Sequence, residues 1–381
     1  MVTIMVTRLL VAIALAAAVT VAGAGCASRG PAGPRTFDMV EYAIPWSNAF
    51  PSDVVVDSAG RLWFTDRIAQ VIGRFDPERE TFDSIHPPTP QSTPYGLIVA
   101  PDGGLWYGGS RAGLLGRIDP ATGRIEEHHL AGAQGGPHQL AWVDGVIWFS
   151  LRESYRIGRY DTRTGETRLF APFEPRLKPY SVAVGTAGRI WFNTLDSWSL
   201  IEVDRVGETI GVHALSEAPP PGTPWGRIVV RDDTGRRRTR ILADSAEAAA
   251  LPDSLRERVI VNRVRGAAKR MAGDPRGTLW IADWRQNRVV RYDTRTGEMT
   301  TFPSLGETQP YGLTVAPDGR VWFSEKGTES IVMLDPETGE RARLALPTAG
   351  GVVRHIAIDE ARGNIWLPMS DIGRIALLRL R

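Results

Sequence analysis

The chain carries a single cysteine, Cys26, in 381 residues. An internal disulfide is therefore excluded, and with it the disulfide-stapled class of small exported folds. An excess of charge of one sign is missing too. Lys+Arg 45 against Asp+Glu 43 leaves a net charge of +2, so the balance shows no footprint for nucleic acid. Long apolar runs are scarce. The run from Leu9 to Ala24 falls short of the roughly 20 residues that a membrane-spanning helix needs.

That run follows Arg8 and fits the apolar core of a signal peptide, read over residues 1–25. Ala22-Gly23-Ala24 satisfies the small-x-small rule for ordinary cleavage. Gly23-Ala24-Gly25-Cys26 resembles a bacterial lipobox, with Gly23 where leucine is usual, and would leave Cys26 lipidated. The lone cysteine stands where a lipid anchor needs it, and the anchored reading is preferred. Residues 26–35, rich in Gly and Pro, then read as a tether. The expected location is the periplasm or cell envelope. The chain is expected to be a monomer, held to the membrane through Cys26.

What the chain has in quantity is glycine, 40, and proline, 27, and both recur at turns. The clearest unit runs from Gln309 to Leu334. Pro310-Tyr311-Gly312 opens a short apolar strand, and Pro317-Asp318-Gly319 makes a turn, since Pro presets φ and Gly accepts positive φ. Val321-Trp322-Phe323-Ser324 is a second strand and Ile331 to Leu334 a third. Asp335-Pro336-Glu337-Thr338-Gly339 turns into a fourth, Arg341 to Leu346. Tryptophans mark the second strand of each unit: Trp63, Trp106, Trp148, Trp191, Trp280, Trp322 and Trp366. Their spacing is about 43 residues, the length of a four-stranded propeller blade, with one gap of about twice that between Trp191 and Trp280.

The fold class read from this period is all-β, a seven-bladed β-propeller over residues 36–381. After Trp366 one strand remains, Ile372 to Leu380, and Phe37 to Ile44 looks like an orphan fourth strand. Joining them would complete a blade and remove exposed edges. The wide gap is assigned to one partly helical insertion, about Glu217 to Gly266, with capping-box patterns at Asp244-x-x-Glu247 and Ser254-x-x-Glu257. Eight blades is the alternative.

In a propeller the innermost strand starts at the top face and the second strand ends there. Positions beside Pro-Tyr-Gly and just after the Trp pair therefore crowd one mouth. The first set is Asp53, Tyr95, His138, Tyr180, Arg270, Tyr311 and Arg354-His355. The second is Asp66, Arg111, Arg152-Glu153, Asn193, Asp283-Trp284, Glu325-Lys326 and Asp371. Such a mouth suits a small polar-aromatic ligand, with Tyr95, Tyr180, Arg270, Trp284, Tyr311, Arg354 and His355 as its contacts. The blander reading is that the tyrosines pack between blades and that Asp66, Asp283 and Glu325 bond turn amides or pair with Arg. His138 is the leading proton-transfer candidate. His86, His128, His129 and His213 fall on outer strands or turns and read as solvated. The insertion emerges at the top, where it could act as a lid.

The repeats PYGLTVAPDGRVWFSE and GRLWFTDRIAQVIGRFDP resemble those of the virginiamycin B lyase, or streptogramin lyase, family of seven-bladed propellers. The resemblance covers nearly all of the mature chain except the insertion. It implies opening of a cyclic depsipeptide without water: a base removes the proton α to the ester carbonyl and the C–O bond breaks by elimination. It also implies Mg²⁺ held by carboxylates, polarising the carbonyl. The family's Glu-Pro-His-Gly, followed by Trp-Phe-Ala-Leu-Glu, is matched best by Gly136-Pro137-His138-Gln139 with Trp148-Phe149-Ser150-Leu151-Arg152. His138 falls on the proton-accepting histidine. Gly136 and Arg152 replace the two glutamates, with Glu153 one step along, so the implied catalytic set is His138, Arg152 and Glu153. Glu153 and Glu325 are the implied metal ligands. The rival classes are a non-catalytic ligand-binding or sensing propeller and a propeller hydrolase such as a lactonase.

Overall fold

In the computed structural model, residues 7–11, 37–170, 177–195, 198–207, 209–215, 226–231, 237–242, 250, 259–261, 267–274, 276–304 and 306–380 are described. Cys26, the tether and both capping-box stretches lie outside them, as does all of the expected signal peptide except 7–11.

Seven antiparallel sheets stand in a ring, and six are built from consecutive strands running from inner to outer. Blade one is Pro51–Val56, Leu62–Asp66, Val71–Asp76 and Thr81–Ile85. Blade two is Pro94–Val99, Leu105–Gly109, Leu114–Ile118 and Ile125–His129. Blade three is Leu140–Val143, Val146–Leu151, Arg156–Asp161 and Thr167–Phe170. Blade four is Pro179–Val184, Ile190–Thr194, Ser199–Val203 and Thr209–Ala214. Blade five is Ala268–Gly273, Thr278–Asp283, Arg288–Asp293 and Met299–Pro303. Blade six is Pro310–Val315, Val321–Glu325, Ser330–Leu334 and Arg341–Ala345.

Blade seven is composite. Ala357–Asp359, Asn364–Met369 and Arg374–Leu380 come from the C-terminal end, and Phe37–Ala43 supplies the fourth strand. The register runs from Phe37 against Leu380 to Ala43 against Arg374, as the two ends of the sequence predict. The backbone of Thr7–Val11 pairs outside Phe37–Ala43.

The repeated tryptophans explain why the blades stack. All seven are at most 3% exposed, and each packs into the following blade. Trp63 meets Leu97 and Leu105, and Trp148 meets Val182 and Ile190. Trp191 meets Met271 and Leu279, and Trp366 meets Val54 and Leu62. Burying one large side chain is worth about 1.5–3 kcal/mol, so seven such seams form the core of the ring. On the third strand Gly73, Gly116 and Gly158 leave room for the Phe64, Tyr107 and Phe149 rings, which a Cβ would strike. The Asp-x-x-x-Gly turns are Asx turns: the Oδ1 of Asp119, Asp161 and Asp293 accepts the amide two residues on.

The seam between blades four and five settles the count at seven. Trp191 packs straight onto blade five, and Asn193 Nδ2 donates to the Lys269 carbonyl at 2.8 Å. No blade stands between them. The insertion's described residues form their own three-stranded sheet, Arg237–Leu242, Gly226–Arg231 and Val259–Val261. The stretches that the sequence reading expected to be helical lie outside the described residues.

Candidate functional site

The site begins as a defect in the sheet ladder. In blade one the inner strand pairs Pro51 with Asp66, then shifts register and resumes at Val54 with Phe64. The same shift follows Pro94, Pro179, Ala268 and Pro310. A bulge of this kind releases residues from the ladder, and here it releases two in each of these five blades. With His138-Gln139 and Arg354-His355, which precede the inner strands of blades three and seven, they make two layers around the centre. The upper layer is Ser52, Tyr95, His138, Tyr180, Lys269, Tyr311 and Arg354. The lower is Asp53, Gly96, Gln139, Ser181, Arg270, Gly312 and His355.

The blades hold these layers by bonds across each seam. Thr65 Oγ1 donates to the Tyr95 carbonyl at 2.7 Å and Ser150 Oγ to the Tyr180 carbonyl at 2.8 Å. Ser324 Oγ reaches the Val353 carbonyl and Ser370 Oγ the Pro51 carbonyl, each at 2.6 Å. Gly96 is required by close approach, since a Cβ there would lie 2.8 Å from the His138 carbonyl.

The lower layer is a buried polar plug. Arg270, 5% exposed at its side chain, pairs with Asp53, 2% exposed. Its other groups donate to Gln139 Oε1 and to the Arg354 carbonyl, the latter at 2.9 Å, and Gln139 Nε2 donates to Asp53 at 3.2 Å. Burial pulls the Arg270 guanidinium down to about 9, which leaves it charged at neutral pH. His355 accepts the Val54 amide at Nδ1. Burial and then Arg270 hold its imidazole well below the usual range, although part of its surface reaches solvent.

The upper layer is aromatic and cationic. His138 lies on the Tyr95 ring, centroids 4.2 Å apart, and against Tyr180 at 4.6 Å. Its Nδ1 is 3.3 Å from the Tyr180 carbonyl, which fixes Nδ1 as donor and Nε2 as acceptor. Burial first, then Arg152, drives its imidazole down to about 3. The Tyr180 and Tyr311 hydroxyls bond at 3.0 Å, and burial raises Tyr95 to about 12 and Tyr180 well above its ordinary value. Tyr311 goes the other way. Burial opposes it, but Arg354, the Tyr180 hydroxyl and Lys269 pull its phenol down. Lys269 Nζ stands 4.9 Å from the Trp284 ring and 5.4 Å from those of Tyr180 and Tyr311. Trp284 meets Tyr311 edge-on at 5.4 Å.

Of the expected contacts, Tyr95, Tyr180, Trp284, Tyr311 and Arg354 converge at this mouth, around the expected base His138. Arg270 and His355 sit one layer beneath it. The expected pair of metal ligands is not brought together. Glu325, at 1% side-chain exposure, is held by Arg343 at 2.9 Å and by Thr328 at 3.1 Å on blade six. Glu153 is 61% exposed on blade three and paired with Arg152 at 2.6 Å. Among the described residues no three acidic, histidine or cysteine side chains cluster as a metal site. The donors present therefore do not fit Mg²⁺, which takes oxygen ligands at octahedral positions.

The other carboxylates of the mouth serve the turns. Asp66 accepts from the Trp46 indole and from the Phe50, Ile68 and Ala69 amides, and Asp283 from the Ala267 and Gln286 amides and Arg288. Two outer histidines correct the solvated reading. His128 lies between Trp106 and Tyr160, at 5.2 and 5.5 Å. His213 bonds Glu202 at 2.9 Å and the Tyr292 hydroxyl at 3.1 Å across the seam of blades four and five. A cavity of about 410 Å³ lies at the opposite face between blades seven and one, but its Arg61, Arg79 and Arg362 are paired with Asp57, Asp76 and Asp359.

Lys269 was missed by sequence reasoning, which placed Arg270 in the mouth. A signal existed: Lys269 stands as far before Trp280 as Tyr180 before Trp191 and Tyr311 before Trp322. Phe50 and Arg67, which stack at 4.3 Å on the rim, carry no repeat signature.

Residues 34–200 match the sequence model of the virginiamycin B lyase family. No curated protein matches the chain by sequence. Among solved structures, virginiamycin B lyase from Staphylococcus aureus is 20% identical, with a TM-score of 0.71 over 91% of this chain and 100% of that one. A catalytically inactive variant of that lyase with quinupristin is 19% identical with the same TM-score, over 91% and 100% of the two chains. The WD40 propeller domain of Doa1 is 11% identical at a TM-score of 0.62, over 88% and 94%. These likenesses are to the fold. By the match over residues 34–200 and by its ring of seven blades, the chain resembles the virginiamycin B lyase propellers in fold.

Proposed function

We propose that this chain is an exported, lipid-anchored propeller that holds a small ligand at its top mouth, and that it does not open depsipeptides by metal-assisted elimination. One observation carries the reading. His138, the residue matching the family's base, lies between two tyrosine rings, and among the described residues the charged side chains that act on it most are cations: Arg152, Lys269 and Arg67. Elimination α to an ester carbonyl needs a base of useful proton affinity and a group to take the charge developing on the carbonyl oxygen. An imidazole held at about 3 takes up a proton poorly at neutral pH, because efficiency falls as a base's pKa drops below the working pH. Glu153 and Glu325 are engaged elsewhere. A binding site asks less: aromatic faces and a few fixed polar groups on a rigid ring. Tyr95, Tyr180, Trp284 and Tyr311 supply the first, and Lys269 and Arg354 the second.

One feature favours the elimination reading. The His138 tautomer leaves Nε2 as acceptor, as a base requires. The test uses quinupristin, the compound in the structure of the inactive S. aureus variant. It is incubated with the mature protein in Mg²⁺ and in EDTA, beside His138→Ala, and ring opening is followed by chromatography. The binding reading expects intact quinupristin in every sample. Mg²⁺-dependent opening that His138→Ala abolishes overturns it.

A further inference from the structure

Among the described residues, few carboxylates face the arginines of the mouth. Arg67 and Arg354 both stand against the Phe50 ring, their guanidinium carbons 4.3 and 5.2 Å from its centroid. Arg354 is also 5.3 Å from the Tyr311 ring. Lys326 Nζ lies 5.1 Å from Trp284, on whose ring Lys269 also sits. Against these stand Asp371, 3.2 Å from Arg354, and Glu153, which is spent on Arg152. The remaining mouth carboxylates, Asp66, Asp283 and Glu325, are turned into their own blades.

A second observation is independent of the count. The Nε atoms of Arg67 and Arg354 are buried, and neither donates to the protein. A buried donor left unpaired carries a desolvation cost, larger when it is charged. Both orphans belong to the two arginines that share Phe50. The directions of titration agree, since Arg354, Arg67 and Arg152 each favour the ionised form of the Tyr95 phenol.

Deepening the binding reading, on which this inference rests, we propose that the mouth binds a small aromatic carboxylate. Arg354 and Arg67 take the two oxygens, the arrangement guanidinium groups favour, and the ligand ring lies among Phe50, Tyr95 and Tyr311. The aromatic walls supply apolar area and ring stacking, and the arginines exclude neutral and cationic isosteres by leaving their own donors unpaired when these bind.

The probes are benzoate, its neutral amide benzamide, the cation benzylamine and inorganic phosphate. Each is titrated into the full mature chain by calorimetry at low and high salt. Benzoate is expected to bind at least about tenfold more tightly than benzamide, the minimum that one charged hydrogen bond supplies, and to weaken as salt rises. Benzylamine and phosphate should bind more weakly than benzoate. Arg67→Gln and Arg354→Gln should each erase most of the preference for benzoate over benzamide. Arg67→Gln is the safer variant, because Arg354 also pairs with Asp371; circular dichroism and the thermal midpoint confirm that each folds. Equal binding of benzoate and benzamide, or preference retained in Arg67→Gln, overturns the carboxylate and leaves the binding reading standing. Phosphate as tight as benzoate overturns the aromatic half. No binding of any probe to folded protein overturns both readings together.

Discussion

Replacing Arg270 with methionine removes the one cation at the centre of the lower layer. Asp53 is then left 2% exposed with a buried charge, and Gln139 Oε1 and the Arg354 carbonyl lose a donor. Breaking a buried pair from one side costs about 3–5 kcal/mol, and each orphaned acceptor adds about 1–3 kcal/mol. Arg270→Met should therefore lower stability by at least about 4 kcal/mol. Replacing both partners by apolar residues is often close to neutral, so Asp53→Leu/Arg270→Met should recover more than half of that loss, with Gln139 as the remaining deficit. The orphaned Asp53 of the single variant would have its carboxyl raised above the unfolded value. Its penalty then applies above that raised value and fades as pH falls, so the single variant's deficit should narrow on acidification by more than the double variant's, the two sharing the relief of His355 once Arg270 is gone. Urea denaturation followed by tryptophan fluorescence at neutral pH and at pH 4 reads all three effects. Additive losses in the double variant, or a deficit independent of pH, would refute the account of the plug.

Acid should destabilise the wild type through His138 and His355, both held neutral below their ordinary range. Each contributes stability that is complete above the unfolded value of about 6.5 and is lost as pH falls below it. For His138 the loss continues to about 3, at up to about 1.4 kcal/mol per pH unit; His138→Phe should flatten the stability curve below pH 6. Replacing residues 217–266 with a short Gly-Ser linker should leave the ring folded, because blades four and five already meet through Trp191, Met271 and Asn193. Loss of the β-sheet circular dichroism spectrum in that variant would contradict the seven-blade assignment. Ser324→Ala should cost about 1 kcal/mol in thermal or urea unfolding, since it removes the bond from blade six to the Val353 carbonyl.

The scaffold was legible because its signals are periodic. Trp63 to Trp366 repeat at one spacing apart from the doubled gap after Trp191, and every one of them is buried in a seam. Joining Phe37–Ala43 to Arg374–Leu380 followed from counting strands at the two ends. The mouth was legible only in part, because its residues are those the repeat leaves free to vary. Tyr95 and Tyr311 were found through Pro-Tyr-Gly, and Tyr180 through the related Pro179-Tyr180-Ser181. Blade five replaces that tripeptide with Ala268-Lys269-Arg270, so the layer assignment slipped by one residue and put Arg270 where Lys269 belongs. The carboxylates misled for another reason. Asp66, Asp283 and Glu325 end second strands at the mouth, but their oxygens turn toward amides and arginines of their own blades. A sequence places such a residue without showing which way it turns. The insertion was found by the failure of the period; its strand Gly226–Arg231 continues a copy of the repeat's opening, Thr223-Pro224-Trp225-Gly226, while Arg237–Leu242 lies in an arginine-rich run that gives no strand signal.

The central claim is that the mouth is built to hold a ligand and that His138 is no working base. Histidine-selective NMR of the folded chain, titrated downward from pH 8, measures this directly. The account predicts that the His138 imidazole stays neutral with its proton on Nδ1 throughout the folded range, with an apparent value near 3. A His138 resonance, assigned by its loss in His138→Phe, that titrates near the ordinary value of about 6.5 would contradict it.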